Sequence, residues 1–499
     1  MKLKHHLCFA LIGLSLSGCA LLKPSQMGAL QSPAANIPGQ FHQMTTYRSQ
    51  NGQLSLDLTA EKKQIELDGT QVEALTFNGE YAGPILRLKQ GDVLHVNLTN
   101  ATDEITNFHF HGYHGSPLAN GDNMHIEIQP GTTFAYSMTI PESQPPGLYW
   151  YHTHIHHQAE DQVNRGLSGA IIVEGIDSRI PETKGLQERL LVLKTFTLPE
   201  GSETSENKRL HGLVQTINGH AHNAIQVVSG STELWRLSNQ SPNDYLHLYI
   251  KGVKFKVIAL DGSPLLKDEI TDRLEIGPAA RVEVLVTFPK EGNLSLMSGS
   301  VLTGVGKAMK RERELAAITV ISNPTDLSTA QSSAPRSPHT PDLRLATITA
   351  KRTVHFSQKP GEEVYFVDGK TFDHTRIDTR VPLGSIEEWT IENETEDMHI
   401  FHIHQVHFQV VAINGEPQEF NEMHDTMRVP EKGNITIRIP FTDPKIVGSF
   451  MYHCHVLKHE DHGMMAMIEV YDPSAPTTES SDQSGHNHGE MHEHHGAQR

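Results

Sequence analysis

Cysteine is nearly absent from this chain of 499 residues: Cys8, Cys19 and Cys454 are the only ones. That excludes a disulfide-stapled architecture, so stability must come from apolar cores. Long apolar runs are missing too. The one candidate, residues 7–22, follows a basic Met1-Lys2-Leu3-Lys4 start and falls short of the ~20 residues a bilayer-spanning helix needs. It ends at Leu16-Ser17-Gly18-Cys19, which resembles a bacterial lipobox, so residues 1–18 read as a signal peptide cut before Cys19. An ordinary secretory cleavage elsewhere is the alternative. Acylation of Cys19 would anchor the protein at the periplasmic face of the envelope, and Ala20 is compatible with outer-membrane sorting. Surplus positive charge is the third absence: the net charge of -18 argues against nucleic acid and favours cations nearby. With Cys8 lost and Cys19 acylated, Cys454 is the single remaining thiol, and an unpaired exported cysteine calls for a functional reason.

Histidine, by contrast, is abundant, with 33 copies, most of them in short clusters. Their placement follows an internal repeat. Residues 91–100 (GDVLHVNLTN), 230–239 (GSTELWRLSN) and 384–393 (GSIEEWTIEN) each join a turn glycine to an alternating apolar strand ending in asparagine. Their spacing predicts an all-β chain of three β-sandwich domains: 45–177, 178–335 and 336–472. An N-terminal linker spans 19–44, a Ser/Pro/Thr-rich stretch at 323–341 leads into the third domain, and residues 473–499 form a polar tail expected to be disordered.

Nine residues beyond the terminal asparagine, the outer copies carry His109-Phe110-His111 and His402-Ile403-His404, where the middle copy has Leu248-Tyr249-Ile250. Five residues after Gly147, Gly448 and Gly292 come His152-Thr153-His154, His453-Cys454-His455 and Met297-Ser298-Gly299. The outer domains therefore share a metal site and the middle domain carries none. Each His-x-His pair puts both rings on one strand face, and four such pairs can surround a cluster of ions at a domain interface. The pairs alone suit copper, iron, zinc or nickel; Cys454 with His459 and a weaker thioether from Met464 indicates copper. His399 is the candidate second imidazole beside Cys454. Domain one has Thr106 and Thr153 at the matching positions and cannot build that site.

These motifs, with the spacing His-Cys-His-x3-His-x4-Met, resemble the three-domain multicopper oxidases of the laccase and copper-efflux oxidase group, over nearly the whole mature chain. The resemblance implies three cupredoxin-like Greek-key domains and four copper ions. It makes His399, Cys454, His459 and axial Met464 the type 1 ligands, and His109 and His402 the type 2 ligands. His111, His152, His154, His404, His453 and His455 become those of the binuclear type 3 pair. Ile400 and Phe110 depart from frequent family residues without removing a ligand. The implied reaction passes single electrons from a reductant, through or near His459 at the surface, along Cys454 to the cluster, where O2 becomes water. Glu460 and Asp122 are the candidate proton carriers, with solvated surface acids as the bland alternative.

The reductants expected are Cu(I) or Fe(II); phenols are the laccase-like alternative, and a copper store without turnover the non-enzymatic one. Asp425, flanked by Met423 and Met427, is a candidate metal-substrate site near the type 1 copper, though two loop methionines are more often packing. His114, His125, His156, His157, His407, His424 and His462 break the paired pattern and read as ordinary or supporting histidines. The tail segment 486–495 (HNHGEMHEHH) has the composition to capture copper. A monomer is expected.

Overall fold

Along Ser385–Asn393 every second side chain is buried, the period of a strand with one face on a core. The computed structural model, which describes residues 29–31, 41–199, 201, 212–289, 292–302, 311–322, 336 and 341–475, builds such strands into six sheets. The expected signal peptide, Cys19 and the histidine-rich segment lie outside the described residues. The sheets pair into three sandwiches, each around its own apolar core. Neighbouring strands in a sheet are mostly not consecutive in the chain, so the chain crosses between sheets as Greek-key connections require. Among the described residues, no helix is long and apolar enough to cross a membrane.

The repeat has a structural reason at its terminal asparagine. Asn100 Nδ2 donates to the carbonyls of Glu104 (2.7 Å) and Ile128 (2.8 Å); Asn239 does the same to Asp244 (2.7 Å) and Ile276 (2.9 Å). Asn393 donates to Asp397 (2.7 Å) and Pro430 (2.9 Å), and its Oδ1 accepts from the Thr395 amide at 2.8 Å. A buried amide thus closes the same turn three times and ties it to a facing strand. The third copy also aims Thr395, whose hydroxyl lies 2.8 Å from His399 Nε2. Asn393→Ala removes three such bonds, so we expect it to cost about 3 kcal/mol at ~1 kcal/mol each, read as a lowered thermal midpoint.

The histidine pairs sit on equivalent strands of the outer domains. In domain one, β1 (His109–His111) pairs antiparallel with β2 (Gly147–His152), placing His109 opposite His152; α1 (Ala159–Arg165) follows. In domain three, β3 (His399–Ile403) pairs with β4 (Gly448–Cys454), placing His402 opposite His453, and α2 (Leu457–Asp461) follows. The middle domain differs in register: Leu248 faces Ser298, one residue past the position the Gly292 marker indicates. Its repeat strand Thr232–Asn239 is buried on both faces, because the neighbouring strand β2 packs against it.

Candidate metal centre

Strand alternation separates Cys454 from its neighbours. Its side chain enters the third core, while His453 and His455 turn toward the domain interface. Cys454 Sγ lies 3.5 Å from His399 Nδ1 and 3.5 Å from His459 Nδ1, and those nitrogens are 3.0 Å apart. Met464 is fully buried beside them and its carbonyl accepts from the Cys454 amide at 3.1 Å. Burial pushes the Cys454 thiol up to about 12, so the metal-free site holds a protonated sulfur and a metal would displace that proton. His459 does not reach the surface, contrary to the sequence expectation. It is 0% exposed, and the Tyr365 ring stacks over it with centroids 4.3 Å apart. The reason is tertiary: Tyr365 comes from a strand of the facing sheet, about which α2 carries no signal.

The eight paired histidines converge from the two outer domains, each no more than 3% exposed. His109 stacks on His404 at 4.0 Å and His111 on His402 at 3.9 Å. His453 Nε2 lies 3.2 Å from both His154 Nε2 and His404 Nε2. Ligand atoms of His109, His111 and His152, of His109, His402 and His404, and of His154, His404 and His453 each fall within 4.8 Å of one another. Burial pulls the rings of His152, His402, His404 and His455 well below their ordinary pKa, and those of His111 and His154 to about 3. Neutral rings keep a lone pair, which is the form that binds metal. At the matching place in domain one, Thr106 and Thr153 instead share the side-chain oxygen of Gln162, at 3.1 and 2.7 Å.

The candidate acids are buried, not solvated. Asp122 Oδ1 and Oδ2 each lie 3.1 Å from His109 Nδ1, and Gln405 Nε2 donates to Oδ2 at 2.8 Å. Glu460 places Oε2 2.9 Å from His453 Nδ1 and Oε1 3.7 Å from His154 Nε2. Asp425 requires a correction: it does not form a metal-substrate site with Met423 and Met427 beside Cys454. It is 0% exposed, ion-paired with the buried Arg281 and 3.2 Å from His111 Nε2 and from His407 Nε2. Its backbone carbonyl accepts from His402 Nδ1 at 2.7 Å. Burial works to raise the Asp425 pKa, yet Arg281 and His111 hold it well below the carboxylate range. Arg281 of the middle domain is thus the keystone between the outer two, and the sequence carried no signal for it. His424 is likewise internal: burial opposes its charge, but Asp261 and Glu422 raise it to about 10.

Three cupredoxin-like sandwiches, with a buried cysteine–imidazole site in the third and an imidazole cluster between the first and third, define a copper-dependent oxidoreductase. Three family models described as multicopper oxidase match residues 336–474, 59–178 and 194–321, and the chain belongs to the multicopper oxidase family. It is 28% identical to multicopper oxidase mco of Staphylococcus haemolyticus over 437 residues, 85% of this chain and 90% of that one. The solved multicopper oxidase of Campylobacter jejuni, described as a metallo-oxidase, shares 27% identity with a TM-score of 0.75, covering 87% of this chain and 96% of that one. Cell division protein FtsP of Xenorhabdus nematophila is 25% identical over 442 residues, 85% of this chain and 90% of that protein.

Proposed function

We propose that this chain couples one-electron oxidation of a metal ion, Cu(I) or Fe(II), to four-electron reduction of O2 to water in the cell envelope. One observation carries the reading: ring nitrogens buried in the imidazole cluster that lack any hydrogen-bond partner, among them His109 Nε2, His152 Nε2, His402 Nε2 and, on His455, both nitrogens, one of which keeps the lone pair. Each unsatisfied buried polar atom costs ~1–3 kcal/mol, so their concentration in one place supports a site built to give its lone pairs to metal. His399, Cys454, His459 and Met464 would hold type 1 copper, and His109 and His402 type 2. His111, His152, His154, His404, His453 and His455 would hold the type 3 pair, about four ions in all. When bound, the coppers would supply one-electron acceptance at the thiolate and multi-electron transfer to dioxygen at the cluster.

The protein's own groups do the rest. Cys454 is covalently continuous with His453 and His455, the shortest connection between the two centres. Asp122 orients the His109 ring through Nδ1, and Glu460 is placed to hold or pass a proton beside His453. Tyr365 and the surrounding core keep bulk water from His459. The domain limits 45–177, 178–335 and 336–472 and anchoring through Cys19 belong to the same proposal. The metallo-oxidase description of the Campylobacter jejuni protein supports metal ions as donors.

A side-by-side turnover series on the copper-loaded protein with Cu(I), Fe(II) and a simple phenol tests this. We expect oxygen consumption fastest with a metal ion. Faster turnover of the phenol would make the enzyme a laccase-like oxidase, and no turnover with any donor at full copper content would leave only a store.

A further inference from the structure

A second group of histidines lies outside both centres, in a cleft of about 560 Å³ between domains one and three. His156, His157 and Glu160 line one wall, and Glu363, Phe372 and His462 the other. Its floor is the strap from Asp461 through Gly463, which joins His459 to Met464. We propose that this cleft binds a divalent transition cation, Fe(II) by its chemistry, as the electron donor. The inference rests on the oxidase reading above and names the donor and where it docks.

The geometry sets which atoms face the cation. His157 Nδ1 lies 2.7 Å from the Asp461 carbonyl and His462 Nδ1 lies 2.7 Å from the Lys458 carbonyl. Each Nδ1 must therefore donate, which leaves the lone pair on Nε2. The His156 ring lies 3.7 Å from that of His157, and its buried Nδ1 has no hydrogen-bond partner. Of the acids, Asp461 is committed to the Ala159 and Glu160 amides, Asp161 to Arg165 and Glu363 to Lys458. Glu160 gives one oxygen to Asn243 at 2.6 Å and keeps the other. Three imidazoles and one carboxylate thus line the cleft, donors of the kind a borderline divalent cation takes. Soft ligands are close but turned away: Met124, Met451, Met465 and Met467 pack together in the apolar layer under Phe372 and do not line the cleft. That favours Fe(II) over Cu(I).

The cleft is also coupled to the thiolate site. The Tyr365 amide donates to the His462 carbonyl at 3.0 Å while its ring covers His459. Gly463, at φ 110°, packs so tightly that a Cβ there would meet the Tyr365 carbonyl oxygen at 2.8 Å. The cleft nitrogens are not gathered into a cage as in the buried centres, which suits an ion that must arrive as Fe(II) and leave as Fe(III). Each Fe(II) gives up one electron, so four Fe(II), one O2 and four protons become four Fe(III) and two waters.

Soaking holoenzyme crystals in Zn(II), a redox-inert probe, should place an anomalous peak at the zinc edge between His156, His157 and His462. In the full-length His157→Ala/His462→Ala variant that peak should vanish. The ratio of kcat/KM for Fe(II) to that for hydroquinone should fall at least roughly 10–100-fold, the range that losing even a group one step removed from a metal costs. No peak in the cleft of the unmodified protein, or an unchanged ratio in the variant, overturns the proposal. Absence of oxygen consumption with every donor, Cu(I), Fe(II) and hydroquinone alike, in the unmodified holoenzyme would instead defeat the oxidase reading, and the zinc peak would still decide the cleft.

Discussion

Cys454→Ser is expected to abolish the intense thiolate-to-copper absorption and to reduce oxygen consumption with every donor to background. The substitution nearly preserves volume in a fully buried position, so the third sandwich should still fold, at a cost of ~1–3 kcal/mol for burying a hydroxyl. The loss is chemical. A serine hydroxyl does not ionise in this setting and is a hard donor, whereas a copper held by His399 and His459 needs a soft, charged third ligand. Copper should fall from about four to about three ions per chain, because the imidazole cluster does not use this sulfur. Elemental analysis and the visible spectrum check both halves. Loading the unmodified protein should also release a proton from the thiol that burial holds up to about 12, and loading the serine variant should not release it. A variant that kept its colour, or consumed oxygen normally, would disprove the role of Cys454.

Glu460→Gln should act on the other centre. The amide has the carboxylate's shape, so packing in this fully buried site should survive and the blue colour should remain. What disappears is a group able to carry a proton 2.9 Å from His453 Nδ1. General acid–base groups contribute ~10²–10⁴-fold, so reoxidation of the reduced enzyme by O2 should slow by about that factor. Stopped-flow mixing of reduced enzyme with oxygen measures it directly, and an unchanged rate would return Glu460 to a structural role. Reduction by the donor in the absence of oxygen should proceed normally, because the thiolate site is intact.

The parts of this protein that are local in sequence were legible without coordinates. A strand shows its buried face every second residue, so the glycine-to-asparagine repeat announced three sandwiches, and the absence of a His-x-His pair from the middle copy marked the outer two as the pair that meets. Cys454 between two histidines placed a sulfur and two imidazoles on opposite faces by pleat alone. The register of the middle domain was one residue off at Ser298, since the turn glycine there does not count out the same strand length.

Contacts between domains left no such trace. Asp425 looked like a loop acid between two methionines, yet Arg281, 144 positions earlier, pulls it inside against His111. His459 looked like a surface port until Tyr365 was seen to cover it. Neither partner stands at a fixed offset from its mate, so no period or motif can pair them. The sequence by itself therefore determined the fold and which histidines and which cysteine are candidates to meet. Only the packing of three sandwiches against one another decided which carboxylates touch the cluster, what shields the thiolate site, and that a histidine-lined cleft opens beside it.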